Sequence, residues 1–553
     1  MTSTTLPTRR KALKLFAGVP LLPLGASGAA AFLAGCGGGS DDEQAQFAAA
    51  TFTSMAAPTL ANPGAMASTS VGSALKVTMS DQSVRSFDLA YQPFFITGDA
   101  VPDGKGGTML AGGYYDIRNQ PIVDRTVPAS PRQFFSDSPD GTSLLTVPGA
   151  KVEGVKGNPV FAVVQFEYTS FAQDGISDMY GRLPSPIAVL TLDQNPDTGK
   201  LSLVKYHNVD TSSAHGLWIT CGASLSPWGT HLSSEEYEPD AFTAASSSQF
   251  KAFSQNLFGS ETAANPYHYG HLPEVTVKAD GTASIRKHYC LGRISHELVQ
   301  VMPDERTTLM GDDATNGGLF VFVADKARDL SSGTLYVAKV GAGFSVNPAG
   351  PAATLTWIPL GSATSAQIEA LAGSTAPSDI FDLASKDPSD ASFRKTISNG
   401  RTEWLRLKPG MEKAAAFLET HRYAAYVGAS MGFSKMEGTT VNVRDKVAYS
   451  ALQNVQDSMV KGGKGHTDGN GIALDQALKA GAVMALNLRG GQKDLAGAAI
   501  QSDWMPADTR ALITGEDISA DALGNTANPN RIANPDNLKF SEKLRTLFIG
   551  EDS

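Results

Sequence analysis

Leu319-Phe320-Val321-Phe322-Val323, followed by Thr334-Leu335-Tyr336-Val337-Ala338, is the stretch on which the fold class turns. Both runs are short, rich in branched and aromatic side chains, and bounded by Gly, Asp and Ser, which is the signature of strands joined by turns. The same pattern recurs upstream in Val160-Phe161-Ala162-Val163-Val164-Gln165-Phe166 and in Ile187-Ala188-Val189-Leu190-Thr191-Leu192. No regular alternation of strand and helix interrupts it, so the chain reads as all-β: a sandwich, a barrel or a propeller. With strands spread over 553 residues, a propeller is favoured, because blades accumulate without one oversized core. The absence of a strict repeat means divergent blades. Helical insertions are expected at Gly410 to Tyr423, with Met411, Ala414, Phe417 and Leu418 on one side, at Leu474 to Leu486, and at Ser365 to Leu371.

The composition is that of a globular protein, 42% hydrophobic and 18% charged, rather than a disordered one. The net charge of −10 argues against a nucleic-acid partner, which requires a clustered basic surface.

The first 36 residues stand apart. Arg9-Arg10 precede a Gly- and Ala-rich apolar run from Leu15 to Leu33, which reads as a twin-arginine export signal. A transmembrane helix is the alternative, disfavoured by Pro20, Pro23 and the glycines. The run ends in Leu33-Ala34-Gly35-Cys36, similar to a bacterial lipoprotein cleavage box. Cys36 would then carry lipid and anchor an exported, periplasm-facing or cell-surface protein to the membrane. Residues 37–75, opening with Gly37-Gly38-Gly39-Ser40, read as a flexible tether. Residues 76–553 are left as one domain. In it only Cys221 and Cys290 remain, either as a disulfide or, with Cys221 as a thiolate, at a metal.

The chemistry concentrates in Gly216 to Glu238, GLWITCGASLSPWGTHLSSEEYE, where Cys221 precedes a Gly/Ser/Pro-rich turn and the paired Glu235 and Glu236. Sulfur suits a thiophilic metal, and carboxylates suit calcium, magnesium or ferric iron. A second segment, Gly292-Arg293-Ile294-Ser295-His296-Glu297, sends its His and Glu to opposite faces if it is a strand. A third, Met310-Gly311-Asp312-Asp313-Ala314-Thr315-Asn316-Gly317-Gly318, is an acidic turn, a form also taken by ordinary solvated hairpins.

In this order, and with Phe433-Ser434-Lys435-Met436-Glu437-Gly438 and Asn534-Pro535-Asp536-Asn537-Leu538 following, the segments resemble the PhoX-type alkaline phosphatases of bacteria. The resemblance implies a six-bladed propeller-like fold, calcium and ferric iron at the channel mouth, and phosphate monoesters as substrates. It implies that Cys221 ligates iron, that Glu297 and Glu437 are acidic ligands, and that Glu235, Glu236, Asp313 and Asp536 belong to the same acidic gathering. Glu274 aligns more weakly. Lys435 stands where the family has arginine, so a point charge replaces a planar fork at a phosphate-binding, catalytic position. Asp312 replaces a Glu, and Ser234 a second Cys. The chain stops at Thr546 to Ser553 where the family carries more sequence, which implies a partial chain with an incomplete last blade or an unusual closure.

Several cations would neutralise a phosphate dianion and its leaving oxygen, and a metal-bound oxide or hydroxide would serve as nucleophile, with no serine or histidine nucleophile required. The expected activity is therefore release of inorganic phosphate from small phosphate esters by a lipid-anchored monomer. A non-catalytic surface propeller with a degenerate metal site, and a calcium-dependent lactonase, are the alternatives.

Overall fold

The computed structural model describes residues 45–56, 61, 62, 64, 68 and 70–552. The export signal and Cys36 lie outside the described residues. Within the stretch read as a tether, Phe47–Phe52 is a strand, paired antiparallel with Ser70–Met79. It is held because Phe47 and Ala50 pack with Val77, Met79 and Leu544, and Phe52 meets Phe548 edge-on.

The chain is mostly β, but it is not a propeller. Eight antiparallel strands hydrogen-bond into a closed ring in the order Thr307–Gly317, Phe320–Lys326, Asp329–Val340, Ala353–Thr364, Met505–Thr514, Ala482–Arg489, Val447–Leu452 and Phe433–Asn442. The last strand returns to the first through Asp312 opposite Met436 and Thr315 opposite Ser434. Propeller blades are separate sheets around a channel. Here the ladder runs on from strand to strand within one sheet, and the interior is filled. Every strand of the ring contributes one face to a single buried cluster that includes Val321, Val323, Ala338, Leu355, Trp357, Met484 and Leu486. The run Leu319-Phe320-Val321-Phe322-Val323 accounts for this. Val321 and Val323 point in, while Phe320 and Phe322 point out, because side chains alternate along a strand.

The outward face is covered rather than solvated. Phe320, Phe322, Leu335 and Val337 pack under the helices Ser365–Ser374, Glu412–Leu418 and Thr420–Tyr426. On the opposite side Tyr449, Ala451, Val483 and Ile513 lie beneath the hairpin Pro535–Ser541 and Thr546–Glu551. The expected helices near 365 and 410 are thus present, the latter as two short ones. Leu474 to Leu486 is not helical: its end enters the ring strand Ala482–Arg489, where Val483, Met484, Ala485 and Leu486 are buried from both faces. An apolar run buried on both sides has no period to tell strand from helix.

Two four-stranded antiparallel sheets precede the ring. One joins Pro139–Leu145, Asn158–Phe166, Ile187–Gln194 and Leu201–Asn208; the other joins Ser224–Leu225, His231–Leu232, Leu272–Val277 and Ala283–His288. The strand His296–Val301 pairs with the outer edge of Thr307–Gly317 and ties the second sheet's segment to the ring. No helix among the described residues is long and apolar enough to cross a membrane.

Candidate metal centre

The three strands His296–Val301, Thr307–Gly317 and Phe433–Asn442 meet at Asp312, which faces His296 on one side and Met436 on the other. All three lose regular register there, between His296 and Val299, between Asp312 and Thr315, and between Met436 and Thr439. Such irregularities bend strands and re-aim side chains, and they recur beside active sites. The residues displaced are Glu297, Asp313 and Glu437, whose carboxylates converge so that one oxygen of each lies within 4.8 Å of the others. Gly311 allows the approach. A Cβ there would meet the Glu437 carbonyl at 2.3 Å and Glu297 Cβ at 2.8 Å.

Cys221 approaches from the preceding sheets. Gln165 donates to the carbonyls of Cys221 and Gly222, the latter at 3.1 Å, and is itself oriented by buried His231 at 3.0 Å. Ser234 Oγ donates to Gly222 O at 2.7 Å. A Cβ on Gly222 would strike Glu297 Oε2 at 2.3 Å, so only glycine lets this turn close on the acid. Cys221 Sγ donates to Asp140 Oδ2 at 3.3 Å. The thiol belongs to two further groups with ligand atoms within 4.8 Å, one with Asp140 and Glu167 and one with Glu236 and Glu297. The three triads overlap at Cys221 and Glu297, and so form a continuous chain of ligand groups. Cys290, by contrast, is buried elsewhere against Ser365 and Leu330, and both thiols are free.

These groups line a cleft of about 450 Å³ with Asp536, Glu551, Asp552, Gln453 and the rings of Tyr168, Tyr180 and Tyr237. Among the described residues, nine carboxylates face it and one cation does, Lys435. Lys435 has a left-handed backbone, φ +53°, unusual for a non-glycine residue. Its Nζ lies 2.5 Å from Asp313 Oδ1, 3.3 Å from Glu437 Oε1 and 2.9 Å from the Tyr237 hydroxyl. Burial alone would lower the ammonium's pKa, but Glu437 and Asp313 hold it up.

Elsewhere burial and mutual repulsion act together. Burial, with facing Asp552 and Asp140, raises Asp536 to about 7. Burial raises Asp140 to about 6 and Glu167 to about 7, with facing acids adding to both. Glu236, Glu297, Glu437 and the Cys221 thiol are pushed well up, by burial first and neighbouring acids second. Glu297 Oε1 is buried with no hydrogen-bond partner among the described residues. Asp313 Oδ1 and Glu437 Oε1 also receive no directed hydrogen bond, although Lys435 is close. Buried, mutually repelling oxygens without donors fit bound cations, which stabilise the ionised acids and thiolate. Oxygen-rich at one end and thiol-bearing at the other, the donor set suits more than one kind of metal.

Of the residues expected from sequence, the fold brings Cys221, Glu236, Glu297, Asp313, Glu437, Asp536 and Lys435 to this one cleft. Glu235 is the correction. Its neighbour Glu236 faces the acids, while Glu235 points the other way. There it pairs with buried Lys287 at 2.7 Å and accepts from the amides of Trp218, Gly270 and His271. A carboxylate already so satisfied is a fixture of the interior. Glu274 is likewise taken, by Trp228, Thr230, Arg286 and His288. His296 and Glu297 divide as strand neighbours do: His296 bonds the Gly292 carbonyl at 3.1 Å and Glu297 enters the cleft. Asp312 is engaged by His421 and the Gly318 amide. Sequence reasoning missed Asp140, Glu167 and Tyr237. Glu167 follows the buried strand Asn158–Phe166 directly, and a carboxylate at the mouth of an apolar strand was the available signal.

A closed β ring with a thiol-and-carboxylate cleft at its irregular edge offers the donor set of a metal-dependent enzyme. Residues 191–553 match the family model described as alkaline phosphatase PhoX. The chain belongs to that family, and it is a phosphatase that hydrolyses phosphate esters with the aid of metal. The structure of Pseudomonas fluorescens PhoX in complex with vanadate, a transition-state analogue, is similar to it, with a TM-score of 0.53 and 18% identity. The likeness, one of fold, covers 84% of this chain and 80% of that one. No curated protein matches the sequence. Asp140 and Glu167 precede the matched span.

Proposed function

We propose that this chain releases inorganic phosphate from phosphate monoesters at a mixed centre of ferric iron and calcium. The carrying observation is the chain of three overlapping triads, with sulfur at Cys221 and only oxygens at the Glu297, Asp313 and Glu437 end. Iron is the ion suited to Cys221 with Glu236, Glu297, Asp140 or Glu167, and calcium the ion suited to the all-carboxylate end with Asp536 nearby. When bound, the metals supply charge neutralisation for the phosphoryl group and activate water.

The chain's own groups do the rest. Lys435, 19% exposed, reaches the cleft surface and offers its ammonium to a phosphoryl oxygen. Tyr237 fixes that ammonium by accepting from it, and donates its own proton to Asp313. Tyr168 and Tyr180, edge to face at 4.8 Å, wall one side of the cleft with their rings.

Vanadate on a structural neighbour supports the reading, since it mimics the crowded phosphorus of in-line attack. Elemental analysis of the purified protein, together with turnover of p-nitrophenyl phosphate, tests it. Iron and calcium that leave together with activity on chelation are expected. Full activity in iron-free protein, or in Cys221→Ser, would sink it.

The export signal and the lipid on Cys36 belong to the same proposal, supported by the twin arginines and the Leu33-Ala34-Gly35-Cys36 box. Cys36→Ser should move the protein from the membrane fraction to the soluble one. If it stays membrane-bound, the anchor lies elsewhere.

A further inference from the structure

A second cavity, of about 720 Å³, adjoins the metal centre and is not used by the chemistry above. Three separate chain segments pass from one to the other. Asp313 lines the first and Thr315 the second; Gln453 lines the first and Asn454 the second; Asp536 lines the first and Asn534 the second. The two linings touch where Asn454 Nδ2 donates to Gln453 Oε1 at 3.2 Å. The cavity therefore lies next to the place where a phosphate among the acids and Lys435 would sit.

The lining states what the cavity can hold. It carries the amides and hydroxyls of Thr315, Asn454, Gln456 and Ser458 beside apolar Val455 and Ala477, one carboxylate, Asp457, and no aromatic ring on which a nucleobase or phenyl group could stack. Thr315 Oγ1 donates to Gln456 Oε1 at 2.7 Å and so turns the Gln456 amide nitrogen outward from that contact. Among the described residues, that nitrogen and the second amide atom of Asn454 make no protein hydrogen bond, which leaves them for a ligand's hydroxyls. Lys464 and Lys479 stand exposed on the same cavity, and among the described residues neither ammonium is paired with a carboxylate. The volume lies in the range that holds a small organic ligand.

We propose that this cavity is the leaving-group subsite, and that it takes a polyhydroxylated alcohol bearing a second phosphate. The inference rests on the phosphomonoesterase reading above and names its substrate class. The second phosphate is held by Lys464 and Lys479, the hydroxyls by Gln456 and Asn454. The hydrolysis is unaltered: water adds to phosphorus, the ester P–O bond breaks, and the alcohol leaves with a proton, still carrying its other phosphate.

The test compares holoenzyme and the double variant Lys464→Ala/Lys479→Ala on a hexose bisphosphate, a hexose monophosphate and p-nitrophenyl phosphate. Loss of both lysines should lower kcat/KM on the bisphosphate about tenfold, chiefly through KM, because the interaction is present before and during reaction alike. The monophosphate should change by about twofold and p-nitrophenyl phosphate by less, since they have no second anion to lose. Gln456→Ala should weaken both hexose esters and spare the phenyl ester. Equal losses on all three substrates, or an unchanged bisphosphate, would overturn the subsite alone. A wild-type holoenzyme inactive even on p-nitrophenyl phosphate would overturn the phosphomonoesterase reading itself.

Discussion

The thiol of Cys221 and the carboxylate of Asp140 meet at 3.3 Å across 81 residues of chain. The contact places a residue from the first sheet, outside the span matched by the family model, on the metal centre. If Asp140 supports the thiol's metal, Asp140→Asn should keep the fold and lower iron content and turnover by about 10- to 100-fold, the usual scale for groups that tune a metal ligand. Cys221→Ser should lose more iron than that. Elemental analysis of both variants decides it; iron retained in full with normal turnover in Asp140→Asn would remove Asp140 from the centre.

Glu235 and Glu236, neighbours in sequence, should separate cleanly in experiment. Lys287→Met leaves Glu235 buried without its cation, which costs about 3–5 kcal/mol when one partner of an interior ion pair is removed. Urea unfolding should show that loss, while metal content per folded molecule stays normal. Glu236→Gln should do the reverse, reducing bound metal and, by removing a repelling charge, sparing or raising the stability of the chelated protein. Metal loss in Lys287→Met without a change in stability would return Glu235 to the ligand set.

How far the sequence was legible follows the range of the interactions. Val321 and Val323 against Phe320 and Phe322 announced a strand with two buried faces, because alternation is local. They could not announce a ring, since closure depends on Asp312 meeting Met436 and on Ala353 meeting Thr509, pairings remote in the chain that leave no local trace. Barrel and propeller spend the same strands with the same spacing. The residues of the cleft were more legible where each stands in a short motif of its own, as Cys221, Glu297 and Glu437 do. It was misread at Glu235, because one position along an extended segment reverses the face. Which of two adjacent glutamates turns inward is settled by Lys287, 52 residues downstream on the strand Ala283–His288.

Lys435 is the only cation on the cleft among the described residues, and its two acids are buried. Lys435→Met keeps the stem and removes the charge, so Asp313 and Glu437 lose their partner. In chelated protein the loss should be about 2 kcal/mol, the scale of a hydrogen bond to a charged group. With metals bound it should be smaller, because the cations take over the compensation. Turnover should fall in both kcat and kcat/KM if the ammonium meets the phosphoryl group chiefly in the transition state. Lys435→Arg, restoring the planar fork, should recover part of it. Equal destabilisation with and without metal would show that Lys435 does not share its acids with the centre.

His421 lies buried between two carboxylates, 2.8 Å from Asp312 Oδ1 and 3.0 Å from Glu238 Oε1. Burial alone would lower its pKa, but the two acids hold it up at about 10. Glu238 is held down at about 2 despite its burial, by His421 and nearby arginines, whereas burial leaves Asp312 raised. The imidazolium thus stands between them, and Asp312 in turn receives the Gly318 amide and precedes Asp313 of the cleft. A folded pKa raised above the ordinary 6.5 means that protonation favours folding. The contribution is whole below about pH 6.5 and is lost as pH rises through about 10. His421→Asn should therefore lower the Tm most at pH 6, and the gap between wild type and variant should narrow steadily toward pH 10. Measured across that window on chelated protein, a gap that stays constant or widens with pH would show that the charged imidazole is not what holds Asp312 in place.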